Sequence, residues 1–176
     1  MKSVILSIAL VLTSFPLLAQ ERMSAMATLQ ALPVKYQNGV FKVSADNAKP
    51  NPDTWYIVAR GNADDSPFHN ITMSGGQVVS DKITLGLREI FTAPSPISLG
   101  RVQIDSPAAY AIAERYAQAN GKSLGGVSFA LEQKGSDAAP IWSIWCYGVE
   151  GSYYGLMQLL ATDGTVVSND AFANRP

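Results

Sequence analysis

A strand-like stretch that occurs twice constrains this chain more than anything else in it. Trp142-Ser143-Ile144-Trp145-Cys146-Tyr147-Gly148 and Trp55-Tyr56-Ile57-Val58-Ala59-Arg60-Gly61 both read W-x-I-x-x-x-G, offset by 142 − 55 = 87 residues. Downstream, Gly76-Gln77-Val78-Val79-Ser80-Asp81 has a counterpart in Gly164-Thr165-Val166-Val167-Ser168-Asn169, offset by 164 − 76 = 88. The spacing predicts one structural unit used twice. In a strand, alternate side chains point to opposite faces. Trp142, Ile144 and Cys146 therefore share a face, as do Trp55, Ile57 and Ala59. Bulky apolar identity is kept on that face, which predicts that it is the core face and that both tryptophans are buried. The other face differs between the copies. Ser143, Trp145 and Tyr147 stand where the first copy has Tyr56, Val58 and Arg60. Tyr56, Arg60, Trp145 and Tyr147 are residue types concentrated at interface hot spots, and they are the candidate binding residues. Two readings compete for that face: an open binding surface, or one covered internally by the connector between the units or by the other unit.

The chain's 176 residues fit one domain or two small ones. Apolar residues make up 47% and charged residues 15%, which is globular composition rather than disorder. With a net charge of −1 and no basic patch, nothing points to nucleic acid. At the N-terminus, Met1-Lys2, the apolar run Val4 to Leu18 and the small residue in Leu17-Leu18-Ala19 read as a signal peptide over 1–19. The run is short for a spanning helix, and Ser14 and Pro16 interrupt it. The expectation is a periplasmic or secreted protein with no membrane segment after cleavage. Cys146 is the only cysteine, so no internal disulfide can form. Burial alone must then hold the fold. One merged core of roughly 150 residues does that more readily than two of about 70–80, so the units are expected to share or abut one sheet.

Met23, Met26, Leu29 and Leu32 recur at three-residue steps and predict a helix ended by Pro33. Val40 to Ser44 reads as a strand with Phe41 and Val43 on one face, followed by a polar loop over 45–53 that carries Pro50 and Pro52. Gly75-Gly76 suits a two-residue hairpin turn with positive φ at both positions. Ile83, Leu85 and Leu87 alternate within the connector. Asp105 or Ser106 as cap, Pro107 in the first turn and Asn120-Gly121 as stop frame a second helix. Val127 to Leu131, the key strand and a hairpin turning at Asp163-Gly164 complete the second unit. The predicted class is α+β: two repeated helix-plus-antiparallel-sheet units sharing or abutting one sheet, with helices on one face. The boundaries are 20–81 for the first unit, 82–104 for the connector and 105–176 for the second unit.

Chemistry-bearing residues are few. His69 is the only histidine; Asp64, Asp65 and Ser66 lie near it, but no nucleophile elbow accompanies them. The pattern reads as a surface or strand-end histidine. Structural zinc needs four Cys or His ligands and calcium a patterned acidic loop, and neither occurs. No metal or cofactor is expected. Cys146 aligns with Ala59 on the core face and reads as a small buried hydrophobe rather than a nucleophile.

The helix Ser106–Ala119, the following strand, W-x-I-x-x-x-G and the D-G-x-V-V hairpin together resemble a PepSY-like domain. Two such units behind a signal peptide resemble the tandem PepSY-like proteins of the β-lactamase-inhibitory-protein-like group. The resemblance covers most of 105–170, and 40–81 less fully. It implies protein binding or inhibition without catalysis. Those inhibitory units each carry a disulfide, which this chain cannot form, and no inhibitory loop matches residue by residue. The functional expectation is a non-catalytic extracytoplasmic binding protein that uses Tyr56, Arg60, Trp145 and Tyr147 to hold a protein or peptide. The alternatives are a carrier of a small amphipathic ligand between sheet and helices, and a hydrolase built on His69.

Overall fold

The computed structural model describes residues 22–61, 67–84 and 95–176. The expected signal peptide over 1–19 lies outside them, as do Asp64, Asp65 and Ser66. The helices are α1 (Ala25–Ala31), α2 (Val34–Gln37) and α3 (Ser106–Ala119), with a 3-10 turn at Leu99–Arg101. The strands are β1 (Val40–Ala48), β2 (Thr54–Arg60), β3 (Phe68–Ser74), β4 (Gln77–Thr84), β5 (Leu124–Glu132), β6 (Ile141–Gly148), β7 (Tyr153–Leu160) and β8 (Val166–Asn169).

All eight strands form one antiparallel sheet in the order β4-β3-β2-β1-β5-β6-β7-β8. This corrects the expected class. The molecule is not an α+β pair of helix-plus-sheet units but one large sheet with short helices: strand takes 43% of the described residues and helix 20%. The physical reason lies at the centre. β1 and β5 pair directly, Val43 opposite Leu131 and Ser44 opposite Ala130, so backbone hydrogen bonds run unbroken through the middle of the sheet. A single apolar cluster spans it, from Ile71 and Met73 on β3 to Met157 and Leu159 on β7.

The core follows strand parity. Trp55, Ile57 and Ala59 of β2 and Trp142, Ile144 and Cys146 of β6 are all buried, as the repeated motif predicts. Phe129 of β5 lies between the two indoles, its ring centroid 6.2 Å from Trp55 and 5.5 Å from Trp142. Ala25 and Leu29 of α1 and Ala109, Ala113 and Ala117 of α3 pack into the same cluster. The alanine stripe on α3 lets that helix approach the sheet closely. Its N-cap is Asp105, with Pro107 in the first turn, as its sequence signals foretell. The N-terminal helix is shorter than its periodicity suggests; Pro33 separates it from the one-turn α2.

Three local expectations change. β1 runs on to Ala48 where a polar loop is expected, because a register shift between Ala45 and Ala48 lets both alanines keep facing the core. Asn47 absorbs that irregularity at φ 54°. Gly75 and Gly76 have φ of 53° and 74° and form the expected tight turn, but the β7–β8 connection is longer than two residues. There only Gly164 has positive φ, and its N–H donates to the Leu160 carbonyl. In the connector, β4 continues to Thr84, and the segment 95–104 lies against the core side. Ile97 and Val102 are buried there, and the Ile97 N–H donates to the Val40 carbonyl at 2.7 Å. Residues 85–94 lie outside the described residues.

Candidate functional site

With α1, α3 and segment 95–104 on the core side, the opposite sheet face has no second layer among the described residues. Its side chains form rows set by the register. One row runs Asn70, Val58, Lys42, Glu132, Ile141, Leu160. Lys42 and Glu132 pair across the β1–β5 seam at 2.7 Å, both partly exposed. The next row runs Thr72, Tyr56, Ser44, Ala130, Ser143, Gln158. Beyond it, Ser128, Trp145 and Leu156 align. On β1 and β5 the face thus carries Ser44, Ala130 and Ser128 beside the Lys42–Glu132 pair, with Tyr56 on one flank and Trp145 on the other.

The four sequence-predicted residues fall into two groups. Tyr56, 46% exposed, and Arg60 stand on β2. Trp145 and Tyr147 stand on β6, both partly exposed. β1 and β5 separate the pairs, about 15 Å at ordinary strand spacing. The Arg60 guanidinium lies 5.7 Å from the ring centroids of both Phe41 and Phe68, which meet edge-on at 4.9 Å. Tyr147 meets Tyr153 with centroids 5.6 Å apart, and Tyr153 is 58% exposed.

Phe68, Tyr153 and Leu156 also belong to this face, and Phe41 is buried there against Phe68 and Arg60. Phe41 was expected to share a face with Val43. A bulge between Val40 and Lys42 instead turns it toward Phe68 and Arg60. Leu156 follows the alternation of β7, whereas Tyr153 has the parity of the buried Gly155 and Met157 and reaches this face through the register shift between Cys146 and Tyr147.

A second cluster lies near the β4 edge, on the core-side parity. His69 Nδ1 is 2.6 Å from Asp81 Oδ1, and the Tyr36 hydroxyl donates to Asp81 Oδ2 at 2.8 Å. The same hydroxyl is 3.0 Å from His69 Nδ1. A carboxylate only accepts, so Nδ1 carries the proton that it donates to Asp81. Burial opposes ionisation of Asp81, but the hydrogen bonds from His69 and Tyr36 outweigh it and hold its pKa below the ordinary value. Burial raises the Tyr36 pKa. Lys35 sits over the Tyr36 ring at 4.6 Å, and its own pKa is raised, first by its hydrogen bond with Tyr36. Asp81 is the carboxylate beside the histidine among the described residues, and Asp64 and Asp65 lie outside them. No described side chain hydrogen-bonds the other ring nitrogen. The network ties α2 to the outer strands and brings no Ser or Cys of the described residues to His69.

Cys146 is fully buried, and burial pushes its thiol up to about 12, which fits a packing role. Among the described residues no three His, Cys, Asp or Glu side chains gather as a metal site would need. No described helix is long and apolar enough to cross a membrane. Comparison of the chain with protein-family models, with curated proteins and with solved structures finds no significant match.

Proposed function

We propose that this protein is a non-catalytic binding protein, working outside the cytoplasm, that holds a protein or peptide against its open sheet face. One observation carries the reading: a broad sheet face without a covering layer among the described residues keeps large aromatic side chains partly exposed. Tyr56, Trp145, Tyr147 and Tyr153 offer rigid amphipathic area, and Arg60 adds a guanidinium braced on two rings. Such side chains dominate the energetics of protein interfaces. The placement outside the cytoplasm rests on the leader-like residues 1–19.

The test compares wild-type protein with the Trp145→Ala/Tyr147→Ala double variant in capture from a periplasmic or culture-supernatant extract. The variant is expected to keep its circular dichroism and lose the captured partner. Trp145 also supplies a direct signal. The other two of the chain's three tryptophans are buried, so a fluorescence change on adding the purified partner reports on Trp145. Capture unchanged in a folded double variant would overturn the reading.

A further inference from the structure

A cleft of about 210 Å³ opens at the β8 edge of the sheet, bounded by the C-terminal end of α3, by β8 and by the C-terminal tail. Its lining includes Tyr116, Val166, Ser168, Phe172 and Arg175. We propose that this cleft binds a small carboxylate, with Arg175 as its counter-ion.

Three features point that way. First, Arg175 is the only charged residue among the described residues of the lining, none of which is Asp or Glu. Second, the Tyr116 hydroxyl, the Ser168 hydroxyl and the Arg175 guanidinium have no hydrogen-bond or ion-pair partner among the described residues. The cleft is therefore rich in unused donors, and an anion with several acceptor lone pairs complements it. Third, the tail that carries Arg175 is fixed in place. Asn169 Oδ1 accepts from the Ala171 and Phe172 N–H groups, and its amide donates to the Phe172 carbonyl at 2.7 Å. Asn120 exchanges two bonds with the backbone of Asn174, at 2.8 and 2.9 Å. Phe172 is buried against Tyr154.

The α3 C-terminus does not oppose an anion strongly. The Ala117 carbonyl accepts from Asn120 and Lys122, and the Gln118 carbonyl from Gly121. The Tyr116 carbonyl accepts from the Asn120 side chain. These bonds satisfy the negative end of the helix. The volume suits a ligand of a few heavy atoms, below the usual range of about 300–1,000 Å³ for a drug-sized pocket. Two sources share this chemistry: a free small acid, and the C-terminal carboxylate of a peptide. A peptide could also pair with β8, whose outer edge has no strand partner among the described residues.

The test is amide-resolved NMR titration of the full-length protein with three probes: propionate, N-acetyl-Ala-Ala, and the amide of that dipeptide. Both carboxylates are expected to shift the amides of Val167, Ser168 and Asn169, and the amidated dipeptide to leave them unmoved. Tighter binding of the dipeptide than of propionate assigns the site to a peptide terminus, and equal binding assigns it to a free acid. Arg175→Gln is expected to weaken binding about ten- to a hundredfold, as loss of a charge-assisted hydrogen bond does. Tyr116→Phe is expected to weaken it less. Arg175 is exposed and its side chain has no hydrogen-bond or ion-pair partner among the described residues, so Arg175→Gln leaves the fold intact. No shift with either carboxylate, equal binding of the amide, or full affinity in Arg175→Gln would overturn the proposal.

Discussion

At the residue scale, the two motif tryptophans are joints as well as packing. The Trp55 indole N–H donates to the Met23 carbonyl at 2.9 Å, and that of Trp142 to the Ile104 carbonyl at 2.7 Å. Each acceptor stands two residues before the first residue of a helix, 25 − 23 for α1 and 106 − 104 for α3. The indole fixes where the following helix begins over the sheet. Trp142→Phe keeps much of the ring but leaves that carbonyl without its donor. The expected loss is about 1–3 kcal/mol, the cost of an orphaned buried polar group, and urea unfolding measures it. Asp81 carries a different prediction. Its folded pKa lies below 3.8, so its contribution to stability is complete above that value and is lost as pH falls through the folded one. His69, Tyr36 and Lys35 all act on it. Urea midpoints should therefore fall with acid more steeply in wild type than in Asp81→Asn over the range below about pH 4. Equal slopes would show that the network adds no such linkage.

At the element scale, α1 and α3 start at one shared anchor. Asp105 Oδ1 accepts from the Ser106 N–H at 2.6 Å and from the Met26 N–H at 3.1 Å. Ser106 Oγ accepts from the Ala25 N–H at 3.0 Å, while Ser24 Oγ accepts from Ala27 at 3.2 Å within α1 alone. Removing Asp105 therefore unsettles two helix starts. Asp105→Ala is expected to cost about 2 kcal/mol, roughly twice a single N-cap, and Ser24→Ala about 1 kcal/mol. Denaturant midpoints of the two variants check the difference. α3 was legible because its signals are local: a capping residue, Pro107, an apolar spacing and Asn120-Gly121. The core face of β2 and β6 was legible because parity inside one strand needs no partner. Bulges were not legible, since they belong to a pair of strands. The turn at Gly75-Gly76 sets Ser74 opposite Gln77 and Met73 opposite Val78. Unbroken, that register would put Asp81 on the face opposite His69. The shift before Thr72 pairs Ile71 with Asp81 and brings the carboxylate to the histidine's side. The same kind of shift at Val40/Lys42 moves Phe41 to the open face. Half of the candidate site therefore followed from strand parity, and the rest depended on register.

At the scale of the molecule, the β1–β5 seam decides whether the sheet behaves as one object. On its core side, Phe129 touches both indoles. On its open side, Lys42 and Glu132 form a partly exposed pair that adds little, at most about 1 kcal/mol. Apolar contact and continuous backbone pairing are then what couple the strands on either side. A sheet coupled in this way unfolds in one step, because losing β1 exposes the packed faces of both β2 and β5. Heat or urea should give a single transition, with far-UV circular dichroism and tryptophan fluorescence coincident. Phe129→Ala removes the ring between Trp55 and Trp142 and should cost about 3–5 kcal/mol. It is expected to lower the midpoint without splitting the transition. The single-tryptophan variants separate the two sides: Trp142→Phe/Trp145→Phe leaves Trp55 reporting on β2, and Trp55→Phe/Trp145→Phe leaves Trp142 reporting on β6. Matching midpoints from the two reporters, in both the native and the Phe129→Ala backgrounds, are the outcome expected of one cooperative sheet. Midpoints that part company would place a boundary at the seam and return the chain to two units that fold separately.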